Sequence, residues 1–242
     1  MKTGVVRLFG CVLWLMPWVS NAAPSAEALQ QRAQLEILAY RATTEFSLLS
    51  VNGGTSQVND RLDTVLRDGS VLAQQLVREW PLLKSEWDAS ADFIQHQRQV
   101  ATNGDSSGLP ARLKARQEAL YAAFDIARPP SNGYHGEQAL FMALLDNLEK
   151  VTAAYVTFAT GAVVGQSLQN TGIERYSSRI FEILGKMADS PAKERIRLKW
   201  MYVKNALMAY DKKPAVFIVE STLRSIRDIT EQELGLRQLA SQ

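Results

Sequence analysis

Apolar residues recur along most of this chain at intervals of three and four, the spacing that aligns one face of an α-helix. Ala28, Leu35, Leu38, Ala42, Phe46 and Leu49 fall on one side of a first helix. Ser25 is placed to cap it, and Glu27 sits in the first turn, where a carboxylate complements the helix dipole. Asn52, Gly53 and Gly54 end it. The clearest stripe follows: Val58, Leu62, Val65, Gly69, Leu72, Leu76, Trp80, Leu83 and Trp87, continued by Ile94. Its alternating steps of four and three form a heptad-like seam, the mark of long helices packed at a shallow angle. Pro81 lies within the seam and predicts a kink or short break rather than its end.

Residues 103–108 read Asn-Gly-Asp-Ser-Ser-Gly, a polar loop, and Pro110 suits the first turn of a third helix reaching about residue 127. The strongest breaker is Arg-Pro-Pro-Ser-Asn-Gly over 128–133. It divides the chain into an N-terminal half, 23–128, and a C-terminal half, 129–242. Beyond it the pattern predicts one long helix over 136–169 and another over 172–187. Ser190 and Pro191 open a third, which ends near residue 211, and Pro214 opens a last one to about residue 239. No stretch alternates as a strand does. The expected fold is all-α: long antiparallel helices forming one bundle, continuous over 23–242, or two linked bundles.

The first 22 residues stand apart. Lys2 and Arg7 precede an apolar run over 8–19, and Ser20, Asn21 and Ala22 form a small-residue exit. This is the pattern of a signal peptide, with cleavage expected after Ala22; the run is short of the roughly 20 residues a membrane span needs. A periplasmic location follows. Cys11, the only cysteine, lies in this leader, so the mature chain relies on its core rather than on disulfides. The 27 basic and 25 acidic residues become 25 against 25 once Lys2 and Arg7 are removed. That balance argues against a nucleic-acid surface.

Recognisable catalytic patterns are lacking. His96 and His135 are isolated, no Gly-x-Ser-x-Gly elbow occurs, and Gly53-Gly54 is not followed by the Gly-Lys-Ser/Thr of a phosphate loop. The expectation is a protein that is not an enzyme, with no catalytic residues, metal or cofactor. Trp80 and Trp87, one heptad apart, belong to the core or flank a ligand between helices. Residues 151–173 carry no charge, and Gly161 and Gly165 form a GxxxG pair. Their many threonines and amides predict a buried helix rather than membrane insertion over 151–169.

Two short segments echo one another: Glu36 to Tyr40 and Arg41, and Glu174 to Ser178 and Arg179, each reading Glu-x-x-small-x-Arg. An arginine held near a glutamate on a helix is an anion-binding or helix-pairing device. Here the sequence resembles the periplasmic sensor domains of type IV pilus chemotaxis transducers and nitrate-sensing histidine kinases, whose helix motif is close to Arg-Met-x-Ser-x-Arg-Ile/Leu. Tyr40-Arg41 matches its end in the first segment; Ser177, Arg179 and Ile180 match it in the second. The motif's first arginine, which the resemblance implies for anion contact, is replaced by Glu36 and Glu174, so a nitrate site is not expected. No signalling module follows within these residues. The resulting expectation is a free-standing helical bundle that binds an envelope protein, as an adaptor or accessory to a receptor, secretion or pilus system. The alternative is a small-molecule sensor or carrier with its ligand between helices near Trp80 and Trp87. The heptad seams also fit self-association into a homo-oligomer.

Overall fold

A computed structural model describes residues 23–52, 54–103, 108–130, 132–161, 172–211 and 214–236. The expected signal peptide over 1–22 and the part of the uncharged stretch over 162–171, with Gly165, lie outside the described residues. Among those described there are eight helices and no strand: α1 (Ala26–Asn52), α2 (Ser56–Gln75), α3 (Pro81–Asn103), α4 (Leu109–Ile126), α5 (Gly136–Ala159), α6 (Ile173–Lys186), α7 (Pro191–Met208) and α8 (Val216–Leu234). Local signals set several of the boundaries. Ser25 Oγ accepts the Ala28 N–H at 3.1 Å, and Ser190 Oγ accepts that of Lys193 at 3.1 Å, each capping its helix.

In the first half α1 packs against α2 and α3, and α3 against α4. In the second, α5 packs against α6 and α8, and α7 against α8. The halves join along α1 and α5, and one hydrophobic cluster runs from Ala28 through Trp87, Leu144 and Trp200 to Ile229. Neighbouring helices alternate in direction, which brings the first and fifth together in parallel. Arg41 meets Glu149, while Ala33 and Ile37 share a small cluster with Met142 and Leu145, so the two helices keep nearly one register throughout. This pair, like α1 and α3, whose Phe46 and Phe93 rings meet, is parallel and departs from the expected antiparallel packing.

Helix α1 is covered on every side from Ala42 to Leu49. Its buried hydroxyls are satisfied within the helix: Thr43, Thr44 and Ser47 donate to the carbonyls of Ala39, Tyr40 and Thr43. Glu45, also buried, receives Arg61 of α2 at 2.9 and 3.0 Å.

The heptad seam does not run through Pro81 as a kinked helix. Helix α2 stops at Gln75, the chain turns over 76–79, and Pro81 begins α3, which folds back on α2. The single stripe is therefore a hairpin closed on itself. Trp87 of α3 lies across Gly69 of α2, and its indole N–H donates to Ser70 Oγ at 3.1 Å. Two later boundaries also differ from expectation. Helix α5 ends at Ala159, with a turn at Thr160 and Gly161, and α8 ends at Leu234 before Gly235.

The breaker between the halves is pinned rather than loose. Gly133 has φ +77°, and a Cβ there would meet the Ala26 carbonyl at 2.6 Å, so only glycine fits this approach to α1. Gln30 donates to the Gly133 carbonyl at 3.0 Å, and Gln34 donates to the buried Tyr134 hydroxyl at 3.0 Å.

A Cβ at Gly69 would lie 1.9 Å from the Trp87 ring, whereas nothing stands within 4 Å of one at Gly185, an exposed position of α6. Gly69→Ala is expected to destabilise the protein by about 3 kcal/mol, overpacking outweighing the roughly 1 kcal/mol gained in helix propensity. Gly185→Ala is expected to stabilise by about 0.5–1 kcal/mol. Urea unfolding of both variants checks the pair.

Candidate functional site

The polar side chains with the most long-range connections lie where α1, α5 and α8 meet. Glu149 of α5, on the same core-facing stripe as Met142 and Leu145, has 0% exposure. Arg41 of α1 donates to its Oε1 from Nε at 3.1 Å and Nη2 at 2.7 Å, and Arg227 of α8 donates to Oε2 at 3.2 Å. Arg41 Nη2 also reaches Glu231 of α8 at 2.7 Å. Two guanidiniums and two carboxylates thus balance in the interior. Burial opposes the charge on Arg41, but Glu149 and then Glu231 hold its guanidinium above the ordinary range.

One turn towards the start of α1 a second cluster opens outward. Lys150 Nζ lies 2.7 Å from Asp146 and 3.2 Å from Glu36. Glu36 also receives Arg32 Nη1 at 3.0 Å. Nε and Nη2 of Arg32 donate to the carbonyls of Ala127 at 2.9 Å and Phe124 at 2.7 Å, so this cation closes the end of α4. Burial pushes the Asp146 carboxyl above its ordinary value against the pull of Lys150, and Glu36 adds to the push. Burial opposes the charge on Lys150, yet Asp146 and Glu36 hold its ammonium above the usual lysine range.

Tyr40 stacks on Tyr121 of α4 with ring centroids 4.4 Å apart, and Lys150 lies over the Tyr40 ring at 5.4 Å. Burial raises both phenols, helped in each case by the field of Tyr176 and Glu36. A cleft of about 240 Å³ opens beside this cluster, lined by Arg32, Glu36, Asp146 and Lys150, with Arg128 and Asn132 at its lip. Ala33 and Met142 are among its apolar walls.

The expected site residues therefore separate. Glu36, Tyr40 and Arg41 come together with α5. Glu174 accepts the Tyr210 hydroxyl at 2.8 Å and ties the start of α6 to the end of α7. Ser178 is exposed, and Arg179 pairs with Glu182 on the surface. The echoed segments occupy α1 of one half but α6, the second helix, of the other, so they do not hold equivalent places. Trp87 is core, Trp80 is half-buried against it, and the cavity beside Trp87 is about 20 Å³, room for about one water molecule. His96 and His135 are exposed, and among the described residues no three His, Cys, Asp or Glu side chains gather as metal ligands. No described helix is long and apolar enough to cross a membrane.

Sequence reasoning missed Arg32, Asp146, Glu149, Lys150, Arg227 and Glu231. The available signal was Glu149, a carboxylate at a core position between Leu145 and Thr152. No protein-family model, curated protein or solved structure matches this chain.

Glu149→Ala strands Arg41 and Arg227 in the interior, and a loss of about 3–5 kcal/mol is expected. Arg179→Ala is expected to stay within about 0.5 kcal/mol of wild type. Chemical denaturation separates the two.

The Asp146 carboxyl, raised in the folded state, supports folding most when protonated. Its contribution falls as pH climbs from the ordinary carboxylate range through the folded value. The melting temperature of Asp146→Asn relative to wild type is expected to be more favourable at about pH 7 than at about pH 4, as calorimetry across that range would show.

Proposed function

We propose that the protein acts by binding another protein of the cell envelope, as an adaptor or accessory, through the outer face of α7 and α8. The observation that carries this reading is where the large apolar side chains stand exposed. Leu198, Met201 and Tyr202 follow one another on α7 at helical spacing, and Tyr202 is 68% exposed. Phe217 and Ile218, 61% and 50% exposed, continue the surface on α8. An open groove of about 390 Å³ runs between Leu198, Lys199 and Tyr202 on one side and Ser221, Thr222 and Ser225 on the other.

Charge narrows the partner's chemistry. Helix α7 carries Lys193, Arg195, Arg197, Lys199 and Lys204 against the single acid Glu194. Arg197 pairs with Glu194 and Lys193 with Asp189. Among the described residues, Arg195 and Lys199 pair with no carboxylate. An apolar groove with Lys199 in its wall, and Arg195 four residues earlier on the same helix, fits an amphipathic helix with acidic flanks, laid in with its apolar side down. The envelope location of that partner rests on the leader expected from the sequence.

Photocrosslinkers at positions 202 and 118, the latter exposed on α4, test the reading in whole cells. Tyr202 is expected to capture one dominant envelope protein through an acidic amphipathic segment, with position 118 silent. Tyr202→Glu with Leu198→Glu should abolish co-purification of that protein while leaving melting within the small range of surface changes. Equal capture from both positions, capture of lipid, or capture only of a second copy would overturn it.

A further inference from the structure

The cleft between α1 and α5 holds charges of both signs that differ in how firmly they are committed. At its base Arg32 is spent on two carbonyls and Glu36, and Lys150 spans Glu36 and Asp146. These cations are fixed. The two carboxylates are not saturated: each ionised carboxylate accepts about four hydrogen bonds. Among the described residues Glu36 receives one donor on each oxygen, and Asp146 receives Lys150 alone. Acceptor capacity therefore remains at the base, beside a carboxylate that burial leaves short of positive charge.

The lip offers the opposite. Among the described residues the only ion pair of Arg128 is with Asp125, three residues back, and both side chains are 67% exposed. Such a pair contributes little and is readily exchanged. A freed guanidinium presents a fork that matches a carboxylate in two parallel hydrogen bonds. Asn132 stands beside it with its side-chain oxygen already accepting the Tyr134 N–H at 3.2 Å, which fixes the amide's place at the rim. The rim itself is held by Gly133 and Tyr134 against α1, so the two ends of the cleft keep their spacing.

We infer that this cleft binds a small zwitterion, a free amino acid, with its ammonium on Asp146 and Glu36 and its carboxylate on Arg128. The side chain would lie along Ala33 and Met142. The volume of about 240 Å³ is ample for a molecule the size of an amino acid. A simple anion is disfavoured because the base cations are already claimed by carboxylates. A divalent metal is disfavoured because only two carboxylates face it and both carry a lysine or arginine. The cleft lies away from the α7–α8 groove, so the inference stands independently of the partner reading.

Isothermal titration of the mature protein with each of the common amino acids, one at a time, tests this. Amines and carboxylic acids that keep the same side chain but carry only one charged end serve as comparisons. Saturable one-to-one binding of at least one amino acid is expected, weakened at least about tenfold in Arg128→Ala and in Asp146→Asn. Arg128 is exposed, so its variant separates lost binding from lost folding; circular dichroism and melting verify the other. No saturable binding up to about 10 mM, equal binding of the one-ended comparisons, or retention in Arg128→Ala would overturn the assignment.

Discussion

A carboxylate cut off from solvent stays ionised only if the protein replaces its hydration, and Glu149 imposes that condition on three helices at once. Desolvating such a group costs several kcal/mol. The compensation comes from Arg41, 108 residues earlier, and Arg227, 78 residues later. Apolar burial is non-directional and tolerates sliding of one helix along another; a forked guanidinium on a buried carboxylate does not. The network therefore specifies the register of α1 on α5 and of α5 on α8 more than it adds net stability, since a well-packed apolar replacement would stabilise as much or more. The same register sets Lys150, the next residue, beside Glu36. The open cleft is thus a consequence of the closed network below it.

How much of this was legible in the sequence follows from how each signal is encoded. Helices with a single buried face announced themselves: α2 buries Val58, Leu62, Val65 and Gly69 in the predicted stripe. The caps at Ser25 and Ser190 were equally readable because they are local. The hairpin at Pro81 was not, because the heptad phase continues across the turn. Val58 to Leu76 and Leu83 to Ile94 face the same core whether the chain runs straight or folds back. What decides between them is the fit of Trp87 onto Gly69, a contact across the hairpin that periodicity does not show. Helix α1 misled in another way. It is buried all round from Ala42 to Leu49, so its pattern marks one face where the fold uses several.

The site was half legible for a related reason. Glu36, Tyr40 and Arg41 drew notice as a helical Glu/Arg motif and do lie in the polar interior. Their partners on α5 and α8 are ordinary charged residues in sequence and gain meaning only from long-range pairing. The echo over Glu174 to Arg179 shows the converse. A six-residue likeness set these residues beside Glu36 to Arg41, yet burial in three dimensions separates them: Arg41 is held by two carboxylates from other helices, Arg179 by a surface neighbour three residues on.

Charge is arranged in this molecule by depth, and the arrangement bears on what each region does. In the interior every named cation and carboxylate has an opposite partner, as low dielectric requires, because a single unpaired ion there would cost more than most folds can absorb. At the cleft the pairing loosens: fixed cations at the base, carboxylates with acceptor capacity left, and an exchangeable arginine at the lip. On α7 it ends, with Arg195 and Lys199 pairing with no carboxylate among the described residues and with Leu198 and Tyr202 exposed. An unpaired surface cation alone means little, since solvent screens it. Its meaning changes beside exposed aromatic and aliphatic side chains. An apolar contact there would exclude water and strengthen the field of those same cations on an acidic flank. On the proposed reading, the apolar stripe and the free charges act as two halves of one recognition surface, each raising the contribution of the other.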